Sequence, residues 1–152
     1  MSLRAQENLI LLVEDNPDDR DLALIAFKEA PVQNKVVVFE DGETALDFLL
    51  GTGHYSGRDL AVMPKLILLD IKLPRMDGLE LLRRLRAHPR TQLLPVVILT
   101  SSREERDLAT SYRLGANSYI RKPVDFAQFL ITASQIAVYW LKLSEVPPAL
   151  PT

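Results

Sequence analysis

The sequence predicts a doubly wound α/β fold built on a five-stranded parallel sheet, and two observations lead to this prediction. Short apolar segments without polar alternation recur along the chain, and such segments are typical of strands buried on both faces of a parallel sheet. Amphipathic stretches separate them, so that strand and helix alternate five times. The predicted strands are residues 9–13 (LILLV), 35–39 (KVVVF), 66–69 (LILL), 96–99 (VVIL) and the weaker 118–120 (SYI).

Residues that cap helices precede each predicted helix. Asn16 can cap the first, with Pro17 at its first position, and Asp41 can cap the second. The third begins near Gly78 and ends before Pro89, where proline stops a helix. Two pairs have the spacing of a capping box and predict where the fourth and fifth helices start, namely Ser102 with Glu105 and Asp125 with Gln128. The fourth closes at a glycine, Gly115, and the fifth runs to about Leu143.

Composition excludes several classes of protein. The chain has no cysteine, which excludes disulfides, thiolate zinc sites and cysteine nucleophiles. The net charge of -2 provides no basic field that would attract nucleic acid. No apolar run approaches the roughly 20 residues that span a bilayer, and no apolar signal segment opens the chain. We therefore expect a cytoplasmic protein without a nucleic-acid or membrane partner.

The chain is expected to form one domain. We assign residues 1–7 to an N-terminal extension, residues 8–143 to the domain, and residues 144–152 to a proline-rich tail. The tail is too short to fold as an output domain, so any output is expected to come from the surfaces of the domain itself.

Polar side chains follow four of the predicted strands. Glu14 and Asp15 close the first strand, Asp70 the third and Thr100 the fourth, and Lys122 follows the fifth. With the strand order 2-1-3-4-5, these ends meet at the edge where doubly wound folds bind ligands. Three carboxylates held close together repel one another and need a cation. Oxygen ligands without histidine or cysteine favour Mg²⁺ or Mn²⁺ over zinc.

The motifs VEDNPDD, LLDIKLPRMDG, ILTSS and YIRKP resemble the receiver domain of response regulators in two-component systems. The resemblance covers residues 8–143 and implies a flavodoxin-like (βα)5 fold. It implies a signalling domain that catalyses only its own phosphorylation and dephosphorylation, with a histidine kinase as partner.

The resemblance also assigns roles to individual residues. Asp70 resembles the phosphoacceptor, and Thr100 and Lys122 resemble the groups that contact the phosphoryl oxygens. Tyr119 resembles the aromatic switch residue that moves together with Thr100. The implied metal ligands are Asp15 and Asp70 directly, Glu14 mainly through water, and the backbone carbonyl of Lys72. The same resemblance predicts a cis bond before Pro123, which would turn Lys122 into the cleft.

A narrower resemblance concerns the loop before the third strand, the VEDNPDD opening and the aromatic end of the fifth helix. These features are similar to stand-alone regulators paired with bacterial phytochromes, which implies a red-light photoreceptor kinase and a homodimer. The fifth helix has more apolar residues than one face requires if Phe126 and Leu130 begin the face on the sheet. The dimer interface is therefore predicted at Ile136, Tyr139 and Trp140.

Other classes of protein share parts of this sequence pattern. The domain could be a phosphorelay intermediate that passes its phosphoryl group to a histidine phosphotransfer protein, and the sequence leaves this open. A Mg²⁺-dependent phosphatase would need an acid–base Asp two residues after Asp70, where Lys72 stands. A flavin module would need a phosphate-binding loop after the first strand, where EDNPDD would repel phosphate. The complete set of acids, Thr100 and Lys122 argues against a pure interaction module.

Overall fold

The structure is a computed structural model that describes residues 8–148. Its five strands are all parallel and lie in the order β2-β1-β3-β4-β5, which confirms the predicted fold class. The strands are β1 Leu9–Val13, β2 Lys35–Phe39, β3 Leu66–Leu69, β4 Val96–Thr100 and β5 Ser118–Arg121. The predicted N-terminal extension, 1–7, and the end of the predicted tail, 149–152, lie outside the described residues.

Helices cover both faces of the sheet. Successive side chains of a strand point to opposite faces, so Ile10 and Leu12 of β1 pack on one side and Leu11 and Val13 on the other. The first side is covered by α1 and α5, and the second by the helices between them. The helices are α1 Pro17–Lys28, α2 Gly42–Leu50, α3 Gly78–Ala87, α4 Glu105–Arg113 and α5 Phe126–Val138.

Four of the helices begin at a side-chain cap. The carboxamide oxygen of Asn16 accepts a hydrogen bond from the Asp19 backbone N–H at 3.0 Å, at the start of α1. Carboxylates serve the same purpose for α2, α3 and α5, from Asp41, Asp77 and Asp125. These caps satisfy backbone donors that have no partner within the helix.

The predicted capping box of α4 is wrong. The helix begins at Glu105 rather than next to Ser102, because the Ser102 side chain is engaged differently. Its hydroxyl donates to the Asp107 carboxylate at 2.6 Å and accepts from the Glu104 backbone N–H at 3.3 Å. Ser102 therefore ties the loop before α4 to the first turn of that helix.

The predicted buried face of α5 needs correction as well. Phe126 is 40% exposed, whereas Phe129 and Ile136 are buried in the core beneath α1 and α5. Ile136 is therefore a core residue, and its assignment to a dimer interface is wrong. The helix continues beyond Val138 as a π-helical turn, Tyr139–Leu143, so it ends where the sequence predicts.

The long loop before β3 is held in place by the side chain of one arginine. The guanidinium of Arg58 donates to the backbone oxygens of Phe48 at 2.6 Å and Val62 at 2.7 Å. It also lies 4.0 Å from the centre of the Phe48 ring, which adds a cation–π contact.

Among the helices of residues 8–148, none combines the length and the apolar character that a membrane crossing needs.

Gly78, the first residue of α3, allows the helix to approach the end of β3 closely. A Cβ atom at this position would lie 2.1 Å from the backbone oxygen of Asp70 and 2.8 Å from the Ile71 Cα. Both neighbours are backbone atoms that a side-chain rotation cannot move. The site around Asp70 therefore depends on the missing side chain of Gly78.

We expect Gly78→Ala to lower the free energy of unfolding by about 2 kcal/mol or more, because the new methyl group displaces backbone. Gly42→Ala is the matched control, since it also opens a helix but its Cβ would lie 3.3 Å from the nearest atoms. Urea denaturation measures both variants. Equal losses of unfolding free energy for the two variants would contradict the close approach of α3 to the end of β3.

Candidate functional site

Two buried carboxylates stand at the carboxyl ends of neighbouring strands. Glu14 directly follows β1 and is 4% exposed, and Asp70 directly follows β3 and is 6% exposed. The Asp70 backbone N–H donates to the Val13 oxygen at 3.2 Å, and the Glu14 N–H donates to the Phe39 oxygen at 2.9 Å. The sheet hydrogen bonding thus extends to both residues and fixes their positions.

The ammonium group of Lys122 lies between three carboxylates. Its Nζ is 2.6 Å from Glu14 Oε1, 2.7 Å from Asp19 Oδ2 and 2.9 Å from Asp70 Oδ2. The Lys122 backbone N–H donates to the Thr100 oxygen at 2.7 Å, which anchors the residue beside β4. Each ammonium proton therefore has one carboxylate acceptor.

The pKa values in this cluster are set by burial and by charge. Burial raises the pKa of Glu14 to about 7; the hydrogen bond from Lys122 opposes that rise, and the Asp70 charge adds to it. Burial alone would lower the pKa of Lys122, but its hydrogen bonds to Asp19 and Glu14 and the Asp70 charge raise it above the usual lysine value. The single positive charge of Lys122 thus does not fully compensate the negative charge of the surrounding carboxylates.

Asp15 and Lys72 lie on the open side of this cluster. Both are exposed, and both line one surface depression together with Ile71, the residue that follows Asp70. Asp70 contacts Lys72 directly, because its Oδ1 accepts the Lys72 backbone N–H at 3.2 Å.

Within residues 8–148, no three acidic, histidine or cysteine side chains are grouped to hold a metal ion. Glu14 and Asp70 instead bind Lys122, and the Asp15 side chain is exposed to solvent. The donor chemistry still fits a hard divalent cation, since carboxylate oxygens stand there with incompletely compensated charge.

The two residues predicted to act as a switch are linked through Ser102. Thr100 is fully buried, and its Oγ1 accepts the Ser102 backbone N–H at 3.3 Å. The Tyr119 hydroxyl donates to the Ser102 backbone oxygen at 3.5 Å, and its ring packs partly buried against the core. Sequence reasoning missed this link, because backbone contacts of Ser102 have no signature in residue type.

The predicted cis bond between Lys122 and Pro123 is wrong, because the structure has no cis peptide bond in its described residues. A trans bond is the form that X-Pro favours, by about 0.5–1 kcal/mol. The long lysine side chain reaches all three carboxylates from a trans-linked backbone. The cis geometry is therefore not required to place the ammonium.

Asp19 is a site residue that the sequence did not single out. An acid in the first turn of a helix ordinarily complements the helix dipole. The Asp19 carboxylate instead binds Lys122 across the cleft at 2.7 Å. The signal available was its place in the first turn after β1, where a helix begins beside the strand ends.

Comparisons with known proteins identify the family to which this fold belongs. The family model of the response regulator receiver domain matches residues 10–134. Response regulator Rcp1 of Synechocystis is 34% identical over 93% of this chain and 94% of its own length. A crystal structure of its Mn²⁺-bound form superposes with a TM-score of 0.84 at 33% identity, covering 93% of this chain and 99% of that one.

Two further solved structures are similar. The phosphorylated cyanobacterial phytochrome response regulator RcpA has a TM-score of 0.86 and 35% identity, over 93% of this chain and 99% of that one. The bacteriophytochrome response regulator AtBRR has a TM-score of 0.70 and 47% identity, over 85% of this chain and 93% of its own.

A parallel (βα)5 sheet with buried acids and a lysine at its carboxyl edge defines a signalling domain rather than a classical enzyme. The chain belongs to the response regulator receiver family. Within that family it is close to the phytochrome response regulators.

We expect the free energy of unfolding in EDTA to fall as the pH rises from 5 to 8, through the shifted pKa of Glu14. The folded state binds the Glu14 proton up to about pH 7 and the unfolded state only to about 4.5. The stabilisation that this proton contributes is therefore complete below the pKa of Glu14 in the unfolded state and is lost above its pKa in the folded state.

Glu14→Gln tests this expectation because it removes the titrating carboxyl. The variant should gain about 1 to 3 kcal/mol over the wild type between pH 5 and 8. Glu105→Gln removes an exposed carboxylate and serves as the control. Urea denaturation across the pH range measures all three proteins, and a Glu14→Gln curve parallel to the wild type would refute the assignment.

Proposed function

We propose that this chain accepts a phosphoryl group on Asp70 from a partner histidine kinase and signals by a change of conformation. The observation that supports the proposal most directly is the buried Asp70 carboxylate, 2.9 Å from the Lys122 ammonium. A buried nucleophile beside a fixed positive charge suits attack on an anionic phosphoryl group. We assign residues 8–143 to this phosphoacceptor unit and propose that it acts in the cytoplasm.

The proposed step forms one bond and breaks one. A carboxylate oxygen of Asp70 attacks the phosphorus atom, the bond to the donor nitrogen breaks, and an aspartyl phosphate results. Lys122 would pair with a phosphoryl oxygen, which becomes easier once Asp70 has lost its own charge. Most of the acceleration in phosphoryl transfer comes from such positioning and charge stabilisation.

We propose Mg²⁺ or Mn²⁺ as the cofactor, in line with the Mn²⁺-bound form of Rcp1. Asp15 and Asp70 would hold the ion together with the Lys72 backbone carbonyl, and Glu14 would contact it mainly through water. The bound ion would neutralise charge on the attacking carboxylate and on the phosphoryl oxygens.

The proposed response to phosphorylation runs through Thr100 and Tyr119. A phosphoryl oxygen offers the Thr100 hydroxyl a new acceptor, and movement of Thr100 would leave space for the Tyr119 ring. Both residues contact Ser102, so the loop before α4 would move with them. The change is a shift between two populated states of one fold.

The proposed kinase is a bacterial phytochrome. The support is the similarity to RcpA and AtBRR, whose names describe them as phytochrome and bacteriophytochrome response regulators. In phosphotransfer assays a phytochrome kinase should label this chain, and its light dependence should follow that of the kinase.

We expect Asp70→Asn to abolish labelling by phosphoramidate, because a carboxamide has no anionic oxygen that could attack phosphorus. Asp21→Asn, which alters an exposed acid of α1, should be labelled as the wild type is. Intact-protein mass spectrometry measures the incorporation. EDTA should reduce wild-type labelling to background, and undiminished labelling of Asp70→Asn would place the phosphorylation elsewhere.

We also propose a homodimer that uses the outer face of α5 and its π-helical turn. Apolar side chains are exposed there, with Ile131 at 51%, Tyr139 at 52% and Leu143 at 65%. The rings of Tyr139 and Trp140 form an edge-to-face pair, with centroids 4.9 Å apart. Exposed apolar surface anchored by aromatic residues is typical of protein interfaces.

We expect Ile131→Glu to convert a dimer into a monomer, raising the dissociation constant by about tenfold or more because a charge would be buried without a partner. Leu93→Glu is the matched control, since Leu93 is 53% exposed and lies in the loop before β4. Sedimentation equilibrium measures both variants and the wild type. A wild type that stays monomeric at tens of micromolar would contradict the proposal.

A further inference from the structure

We propose that Asp19 is a positioning residue that holds Lys122 back from the phosphoryl group and so weakens phosphoryl retention on Asp70. This inference rests on the proposed function of Asp70 and adds a determinant of how strongly the site holds its phosphoryl group. The contact that carries it is the 2.7 Å ion pair between Asp19 Oδ2 and Lys122 Nζ.

Asp19 differs from the other two carboxylates around Lys122 in where it stands. Glu14 and Asp70 extend from strand ends and are almost fully buried, whereas Asp19 belongs to α1 and its side chain is 36% exposed. Its backbone N–H is fixed by the Asn16 cap at 3.0 Å. The helix start therefore holds this carboxylate on the α1 side of the ammonium.

Phosphorylation changes two of the three acceptors but leaves Asp19 as it is. Asp70 becomes an acyl phosphate, so its carboxylate oxygens lose their negative charge, and Glu14 is proposed to contact the bound metal ion through water. Asp19 keeps its full charge and its short contact, so it competes with the phosphoryl oxygens for the same ammonium. Asp19 is thus the one carboxylate of the three that still competes directly for Lys122 when Asp70 carries the phosphoryl group.

Asp19→Asn removes the charge and keeps the size of the side chain and the backbone donor that α1 needs. The probe is beryllofluoride, which mimics a phosphoryl group bound to a carboxylate, added together with Mg²⁺. Titration calorimetry measures the affinity of each variant for it. We expect Asp19→Asn to bind beryllofluoride about three- to tenfold more tightly than the wild type, since Lys122 loses a competing partner.

The matched control is Asp18→Asn, which removes a neighbouring charge from the same helical turn. Asp18 is exposed and has no contact with Lys122 among the described hydrogen bonds and ion pairs. This control reproduces the change in net charge and in helix-dipole interaction. Only the excess of Asp19→Asn over Asp18→Asn counts toward the inference, and urea denaturation checks that both variants are folded.

Three outcomes decide between the possibilities. Tighter binding by Asp19→Asn than by Asp18→Asn supports the inference. Equal or weaker binding by Asp19→Asn, with a wild type that binds, overturns it and leaves the proposed function intact. A wild type that binds no beryllofluoride, and is not labelled by phosphoramidate, overturns the proposed function and this inference with it.

Discussion

The ammonium group of Lys122 connects parts of the molecule that are far apart in the chain. It joins the end of β1, the first turn of α1 and the end of β3. The backbone N–H of Lys122 is hydrogen-bonded to the last residue of β4. Without this charge, three carboxylates would face one another within a largely buried cleft, at a high electrostatic cost. The arrangement of strand ends therefore depends on one cation placed after the fifth strand.

Much of this organisation was predictable from the sequence. The central strands are continuous apolar segments, which leave little choice other than a parallel sheet covered on both faces. Once the strand order is fixed, the carboxyl ends of β1, β3, β4 and β5 must meet. Residue types at these ends, from Glu14 to Lys122, then predict the composition of the site without knowledge of any distance.

The parts that the sequence did not predict are directions of individual side chains. The helix α5 is apolar on most sides, so its pattern does not reveal whether Phe126 or Phe129 faces the core. Ser102 and Asp19 each stand where a capping or dipole role is the common one, and both bind a partner elsewhere instead. The isomer before Pro123 depends on local geometry that residue types do not encode.

The link through Ser102 uses the backbone of that residue alone. Thr100 and Tyr119 meet at its backbone N–H and backbone oxygen, and every residue other than proline carries both groups. The contacts to Thr100 and Tyr119 therefore make no use of the Ser102 hydroxyl, which bonds to Asp107 and Glu104 instead. Backbone and side chain of this one residue thus serve separate purposes, since the backbone joins the proposed switch pair and the side chain joins the loop to α4.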